Sequence, residues 1–274
     1  MSIAAWRKLD AALKSFKREG RAARLWWRDD DAEMVTRELE RLADRAEKYA
    51  IPLSLAVIPV GASKEVRTIL ARGDNWVALV HGFAHKNYAP PGEKRAEFGD
   101  HRPQERMKGE LRMGLDRLHA LLPDHARAVL VPPWNRIAPA LLPQLEPIGY
   151  TGLSTFGPRP RKTPIPTLNS HVDIMNWRTR RFAGADTVLE KLIELLEAQR
   201  RAANDPGEPI GLLTHHRQHD RAAEQFLDRL VRHVARSEGA RWLSLDEVLA
   251  EVSSPGRFEA RGSFPGRRPA KIIA

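Results

Sequence analysis

Cysteine is absent from the 274 residues, and that absence removes several chemistries together. It excludes disulfides, thiolate nucleophiles, iron–sulfur clusters and cysteine-held zinc, so a metal in this chain has to be held by His, Asp or Glu. Long apolar runs are missing too. Nothing approaches the ~20 residues that span a bilayer, and no membrane partner is expected. Charges at Arg7, Lys8, Asp10 and Lys14 break up the first twenty residues and leave no signal-peptide core, so the expected location is cytoplasmic. Acidic residues are in the minority, 35 against 45 Lys and Arg, for a net charge of +10. Such an excess attracts polyanions. However, five basic residues against one acidic within 257–274 supply four of those ten charges. No basic block interleaves with aromatics as a single-strand binder requires, and nucleic acid is not expected as a primary partner.

What is present is ordinary for a folded protein: 42% hydrophobic and 29% charged residues. Trp6, Leu9, Leu13 and Phe16 recur at helical spacing and predict an N-terminal helix over 4–18, ended by Gly20. Short apolar runs then alternate with helical patterns. Strands are expected at 23–28, 52–59, 76–80, 126–131, 150–155, 210–215 and 241–245. Helices are expected at 33–49, 104–122, 137–148, 186–202 and 220–236, with a last helical turn after 245. This alternation predicts an α/β protein built on a mainly parallel sheet. The organisation read from it is an N-terminal helix (1–20) packed on one catalytic domain (21–252), followed by a flexible, basic, Gly/Pro-rich tail (253–274). The Pro- and Arg-rich loops 86–103 and 157–167 are the long connections, and the first is expected to be lid-like.

Active sites of parallel α/β folds lie at the carboxyl ends of the strands, and polar residues recur there. Asp29, Asp30 and Asp31 follow the first strand. His81 and His85 follow the third, Pro132-Pro133-Trp134-Asn135-Arg136 the fourth, and His215-His216 the strand at 210. His171, Asp173 and Trp177 lie between. Three adjacent carboxylates repel one another unless a cation compensates; alternatively, they could cap a helix N-terminus. Histidines four apart share a helix face or converge in a tight loop, and with a carboxylate they make a His/His/Asp set with positions left for water. The Glu of the HExxH zinc-protease pattern is missing. His215 supplies an imidazole, the side chain most often used as a general acid. Trp134 and Trp177 could stack on sugar rings, whereas Trp26 and Trp27, adjacent in a strand, are better suited to the core.

Taken in this order, the segments resemble the polysaccharide deacetylase family (NodB homology, carbohydrate esterase family 4) over residues 23 to 250. The resemblance implies a distorted (β/α)7-type barrel and a metal-dependent hydrolase that removes acetyl groups from an N-acetylated, sugar-like substrate. It assigns Asp30 as catalytic base, with Asp29 offering a one-residue shift of register. Asp31, His81 and His85 become ligands of one divalent ion, Zn2+ by preference, with Ni, Co, Fe or Mn also compatible. His215 becomes the general acid, oriented by Asp173, and Trp177 a groove wall. Pro133, Trp134, Asn135, Arg136 and His216 fall in supporting or substrate-binding positions, with a backbone N–H near Pro133 or Trp134 helping to hold the oxyanion.

Three departures stand out. Gly82 replaces the hydroxyl residue of H-[ST]-x-x-H, which is expected to weaken loop bracing. Val131 stands where the family has the arginine that braces the catalytic aspartate, leaving Arg28 or Arg136 to replace it. His216 occupies a position usually held by Asp. The competing readings are hydrolysis of a C–N bond in a small non-carbohydrate amide and a non-catalytic metal-binding member. Oligomeric state is not legible in the sequence.

Overall fold

The computed structural model describes residues 3–160, 162–201 and 208–253; the tail expected after 253 lies outside them. The chain opens with α1 (Ile3–Arg18) and continues through β1 (Ala23–Ala32), α2 (Arg37–Lys48), β2 (Ser54–Val57), α3 (Val66–Leu70), β3 (Val77–His81), α4 (Gln104–Leu121) and β4 (Ala126–Val131). Next come α5 (Leu145–Ile148), β5 (Gly152–Leu153), β6 (Val172–Asp173), and a small hairpin of β7 (Met175–Asn176) and β8 (Arg181–Phe182). The last elements are α6 (Ala185–Arg201), β9 (Ile210–Thr214), α7 (Arg221–Ala235), β10 (Ala240–Trp242) and α8 (Leu245–Ser253).

The main sheet runs β5-β4-β3-β2-β1-β9-β6, and every pairing in it is parallel. β10 pairs with the start of β1, Ala23 to Leu25, on the edge opposite β9. The sheet curls into a half-barrel with helices around it, as expected of a distorted (β/α)7 barrel.

The central strand β1 shows how the sequence divides between the two faces. Successive side chains point to opposite sides. Leu25 and Trp27 join the large core under the helices, with Leu55, Val57, Ala78 and Val80 of the neighbouring strands. Trp26 joins the barrel interior with Ala56, Leu79, Val129 and Val131, closed at the bottom by Leu245 and Val248 of α8. Arg24 makes an ion pair with Glu251 of α8 at 2.7 Å, and Arg28 lies on the same face as Trp26. Both indoles are buried as expected, with Trp26 donating to the Asn169 carbonyl and Trp27 to the Thr214 hydroxyl.

The helices are stopped and started by local chemistry. Thr36 caps α2 by accepting from Leu39 N–H, and Asp220 caps α7 by accepting from Ala223 N–H. The helix expected over 137–148 is instead a 3-10 segment, Pro139–Gln144, followed by the single turn of α5. Pro139, Pro143 and Pro147 each lack the N–H that an α-helix needs, and Gly149 ends the segment at φ 117°. β1 extends four residues beyond its expected end, through the aspartates, while the strand expected over 150–155 contracts to two residues. α3, β6 and the β7–β8 hairpin are too short to produce a periodic pattern. Among the described residues no helix is long and apolar enough to cross a membrane.

α2 and α7 are joined through Glu224, which lies 2.8 Å from Arg45 and 2.8 Å from His219 Nδ1. Burial opposes its ionisation, but the hydrogen bonds and charge of His219 and Arg45 outweigh that and hold the carboxyl down at about 2. A folded value below the unfolded one contributes stability above the ordinary glutamate range that is lost as pH falls. Glu224→Gln is therefore expected to lower the unfolding free energy at pH 7 by about 1–2 kcal/mol. The gap to wild type should close as pH falls from about 5 toward 2. Urea unfolding at each pH checks this, and a gap undiminished at low pH contradicts it.

Candidate active site

Asp29, Asp30 and Asp31 meet three different environments. Asp29 is fully buried and turned away from the cavity. It accepts from the Thr214 hydroxyl and the His216 backbone N–H, and its other oxygen meets His216 Nδ1. Burial opposes the His216 imidazolium, but the Asp29 carboxylate outweighs it and raises the His216 pKa. Asp29 and His216 thus clamp the end of β9 to β1, and neither lines the cavity.

Asp30 faces the barrel interior, where Arg28 meets it with two atoms, Nε at 2.8 Å and Nη2 at 3.0 Å. The same guanidinium donates to Ser154 Oγ (2.7 Å), the Thr155 carbonyl (3.2 Å) and Asn135 Oδ1 (2.9 Å). Of the two arginines weighed for the place vacated at Val131, the one that reaches Asp30 is Arg28. Arg136 points elsewhere, to the Arg95 carbonyl at 2.8 Å.

A bulge in the β1–β2 pairing between Asp29 and Ala32, with Asp31 at φ 72°, turns the third carboxylate toward the same cavity as Asp30. Asp31 Oδ1 lies 3.1 Å from His81 Nε2 and 3.3 Å from His85 Nε2. One ligand atom from each residue falls within 4.8 Å of the others. Burial opposes ionisation of Asp31, but the His81 hydrogen bond and charge outweigh it and hold the carboxyl far below its usual range. Burial together with the nearby His81 charge lowers the His85 pKa, favouring a neutral imidazole. His81 Nδ1 is engaged by the Val131 carbonyl at 2.9 Å, which leaves Nε2 to face Asp31. This outer contact is the kind that orients metal-ligating histidines. The donor set, its convergence and its fixed ring orientation fit a divalent cation.

Across the cavity, His215 Nε2 is 3.9 Å from Asp30 Oδ2, and its ring meets the edge of Trp177 at 4.5 Å. Asp173 accepts from Trp177 Nε1 at 2.7 Å and from Met175 N–H at 2.8 Å. Burial raises the Asp173 pKa against the opposing pull of His215. Among the described residues His215 Nδ1 is buried with no hydrogen-bond partner. Asp173 therefore reaches His215 through the indole it positions and not through a direct hydrogen bond. Trp134 closes the other wall, 4.5 Å from the His85 ring.

The cavity measures about 720 Å3 and is lined by Asp30, Asp31, His81, His85, Trp134 and Trp177, together with Asn135, Arg136 and His215. It also takes in Asn87, Arg95, Arg180 and Gln218, which no strand-end motif marks. Six non-glycine residues adopt positive φ among those described, and five of them (Asp31, His85, Trp134, Asn135 and Arg180) line this cavity. Each left-handed residue costs about 1–2 kcal/mol, so backbone strain is concentrated where the side chains converge.

A further residue, missed in the sequence, holds the histidine loop. Glu97 lies in the long loop after β3 and is fully buried. Its carboxylate accepts from Phe83 N–H (3.1 Å) and Ala84 N–H (2.8 Å), inside the stretch joining His81 to His85, and from Lys86 N–H (3.5 Å) just beyond it. Burial raises its pKa against those three donors. The bracing expected to be lost with the hydroxyl at position 82 is supplied by this carboxylate. Gly82 follows from it: φ is +63°, and an added Cβ would lie 2.2 Å from Glu97 Oε2 and 2.5 Å from Pro133 Cδ.

Gly82→Ser, which restores the usual hydroxyl of the motif, is therefore expected to destabilise the protein by more than about 2 kcal/mol and to weaken divalent-metal binding. Gly92→Ser is the control, since that glycine also has positive φ (+87°) but nothing near its Cβ position; its cost should stay near about 1 kcal/mol. Chemical unfolding and metal titration of both variants check this. Equal losses would refute the role of Glu97.

No protein-family profile and no curated protein matches the chain. Solved structures do. A peptidoglycan N-acetylglucosamine deacetylase in complex with a hydroxamate-type ligand superposes with TM-score 0.57 and 15% identity, over 83% of this chain and 88% of that one. A deacetylase solved with substrate gives 0.54 and 17%, over 84% and 92%. A carbohydrate esterase family 4 pseudoenzyme from Bacillus anthracis gives 0.55 and 13%, over 84% and 66%. The half-barrel described above is the fold of the carbohydrate esterase family 4 polysaccharide deacetylases.

Proposed function

We propose that the protein is a metal-dependent hydrolase that removes the acetyl group from an N-acetylated sugar, releasing acetate and a free amine. The observation that carries this reading is the placement of Asp31, His81 and His85 beside Asp30 and His215 around one cavity. The fold neighbours include deacetylases of glycans, and the cavity volume is within the range of small-ligand sites. Trp134 and Trp177 in its lining favour a sugar ring over a bare amide.

Asp31, His81 and His85 would hold the cation, with Zn2+ preferred and Ni, Co, Fe or Mn compatible with the same donors. When bound, such an ion supplies a Lewis acid for the acetamide carbonyl and lowers the pKa of water. The chain's own residues do the rest. Asp30, held in one orientation by Arg28, takes the proton from the attacking water. The water oxygen bonds to the acetamide carbon, the C–N bond breaks, and His215 gives a proton to the departing nitrogen. Trp177 presses on the His215 ring and is itself fixed by Asp173, so the acid is held by packing. Arg28, shielded from water, holds the Asp30 carboxylate by an ion pair at 2.8 Å.

The division of labour needs Asp30 ionised and His215 protonated together, which produces a bell-shaped pH–rate profile. Acetate release from N-acetylated sugars is expected to stop on chelation. It should fall about 10²–10⁴-fold in Asp30→Asn and in His215→Asn. The first variant should lose the acid limb of the profile and the second the alkaline limb. Turnover that survives both substitutions and chelation refutes the assignment. A protein that binds metal tightly yet releases no acetate from any N-acetylated sugar or small amide would instead match the pseudoenzyme among its fold neighbours.

A further inference from the structure

The cavity's charge points to more than an acetamide. Its carboxylates are Asp30 and Asp31, and both are engaged at the floor, one by Arg28 and the other by the two histidines. The rim is cationic. Arg95 comes from the loop after β3, Arg136 from the loop after β4, and Arg180 from the turn of the separate β7–β8 hairpin. Among the described residues no carboxylate forms an ion pair with any of the three. Counting carboxylates and guanidiniums alone, the lining carries three positive and two negative groups, and Asp30 is already paired with Arg28.

Three guanidiniums without acidic partners around one cavity repel one another, and that repulsion is relieved when an anion enters. Arg136 Nη1 donates to the Arg95 carbonyl at 2.8 Å, so the fold sets one of these groups and ties two of the three segments together. Guanidinium forks match the paired oxygens of a carboxylate or phosphate.

Resting on the deacetylase reading above, we infer that the substrate is an anionic N-acetylated sugar. It carries a carboxylate or phosphate that Arg95, Arg136 and Arg180 grip while the acetamide reaches Asp30 and His215.

The test compares three probes: N-acetylglucosamine, N-acetylglucosamine 6-phosphate and an N-acetylated hexosaminuronate. Acetate release and calorimetric binding are both measured, on the metal-loaded wild type and on Arg95→Gln, Arg136→Gln and Arg180→Gln. At least one anionic probe is expected to bind and react more than about tenfold better than the neutral sugar. Each substitution should reduce that ratio several-fold, and raising the salt from 50 to 500 mM should reduce it further. The phosphate and carboxylate arms tell which anion the rim prefers. If no probe reacts but an anionic one binds with the same dependence on the arginines, the anion site stands and the deacetylase reading falls. Equal binding of neutral and anionic sugars, or a preference unmoved in all three variants, overturns the inference. Arg95 and Arg180 are exposed, so their loss does not threaten folding, and thermal melting of each variant checks this directly.

Discussion

Three consecutive carboxylates cannot share one sheet edge unless each has its own counter-group, and the top of this barrel is built around that constraint. Asp29 is answered from β9, by the Thr214 hydroxyl and His216. Asp30 is answered from its own strand, by Arg28 two residues earlier. Asp31 is answered from β3 and the loop after it, by His81 and His85. In an uninterrupted strand Asp29 and Asp31 would point to the same side. The bulge before Ala32 breaks that parity, so two carboxylates face the cavity and one anchors the neighbouring strand. The run of aspartates is thus both a clamp on β9 and the floor of the site.

Arg28 carries the second half of the arrangement. A fully buried guanidinium is tolerated only when its charge is paired and its N–H groups are used. Here Asp30, Ser154, the Thr155 carbonyl and Asn135 supply the partners. These partners come from β1, from the chain just after β5 and from the loop after β4, so the arginine ties three segments together beside Asp30. Asn135 takes part from a turn in which it and Trp134 both adopt positive φ. The same strained turn delivers Trp134 to the cavity wall. Strain in that loop and order in Asp30 are two aspects of one contact.

The layout of the barrel was legible because parallel strands buried on both faces read as short apolar runs and the helices between them as 3.6-residue periods. The convergence of Asp30, Asp31, His81, His85 and His215 was legible because each follows such a run, and the carboxyl ends of parallel strands gather at one edge. Arg28 was weighed but not distinguished from Arg136. Strand alternation places it on the face of Asp30, yet only the geometry shows Arg136 Nη1 directed to the Arg95 carbonyl and not to Asp30. Glu97 was not legible at all. It lies in a Pro- and Arg-rich loop with no periodicity, and its role depends on that loop folding back on Gly82, a long-range contact with no local signature. The segment over 137–148 failed for a different reason: its apolar spacing is helical, but three prolines remove the donors that the spacing presupposes.

Two motif departures then share one explanation. Where the motif would place a hydroxyl next to His81, this chain has a glycine, and the space that a side chain would fill is taken by the Glu97 carboxylate and the Pro133 ring. Where it would place an arginine at position 131, this chain has a valine inside the barrel and a guanidinium delivered from β1. In both cases a charged group from another part of the chain occupies the neighbourhood of the substituted position. Motif matching scores positions, but the physical requirement is on the location of a charge or donor relative to the reacting groups. A missing motif residue is therefore weighed against what other segments bring to the site, and here Arg28 pairs with Asp30 while Glu97 accepts from the backbone of the histidine loop.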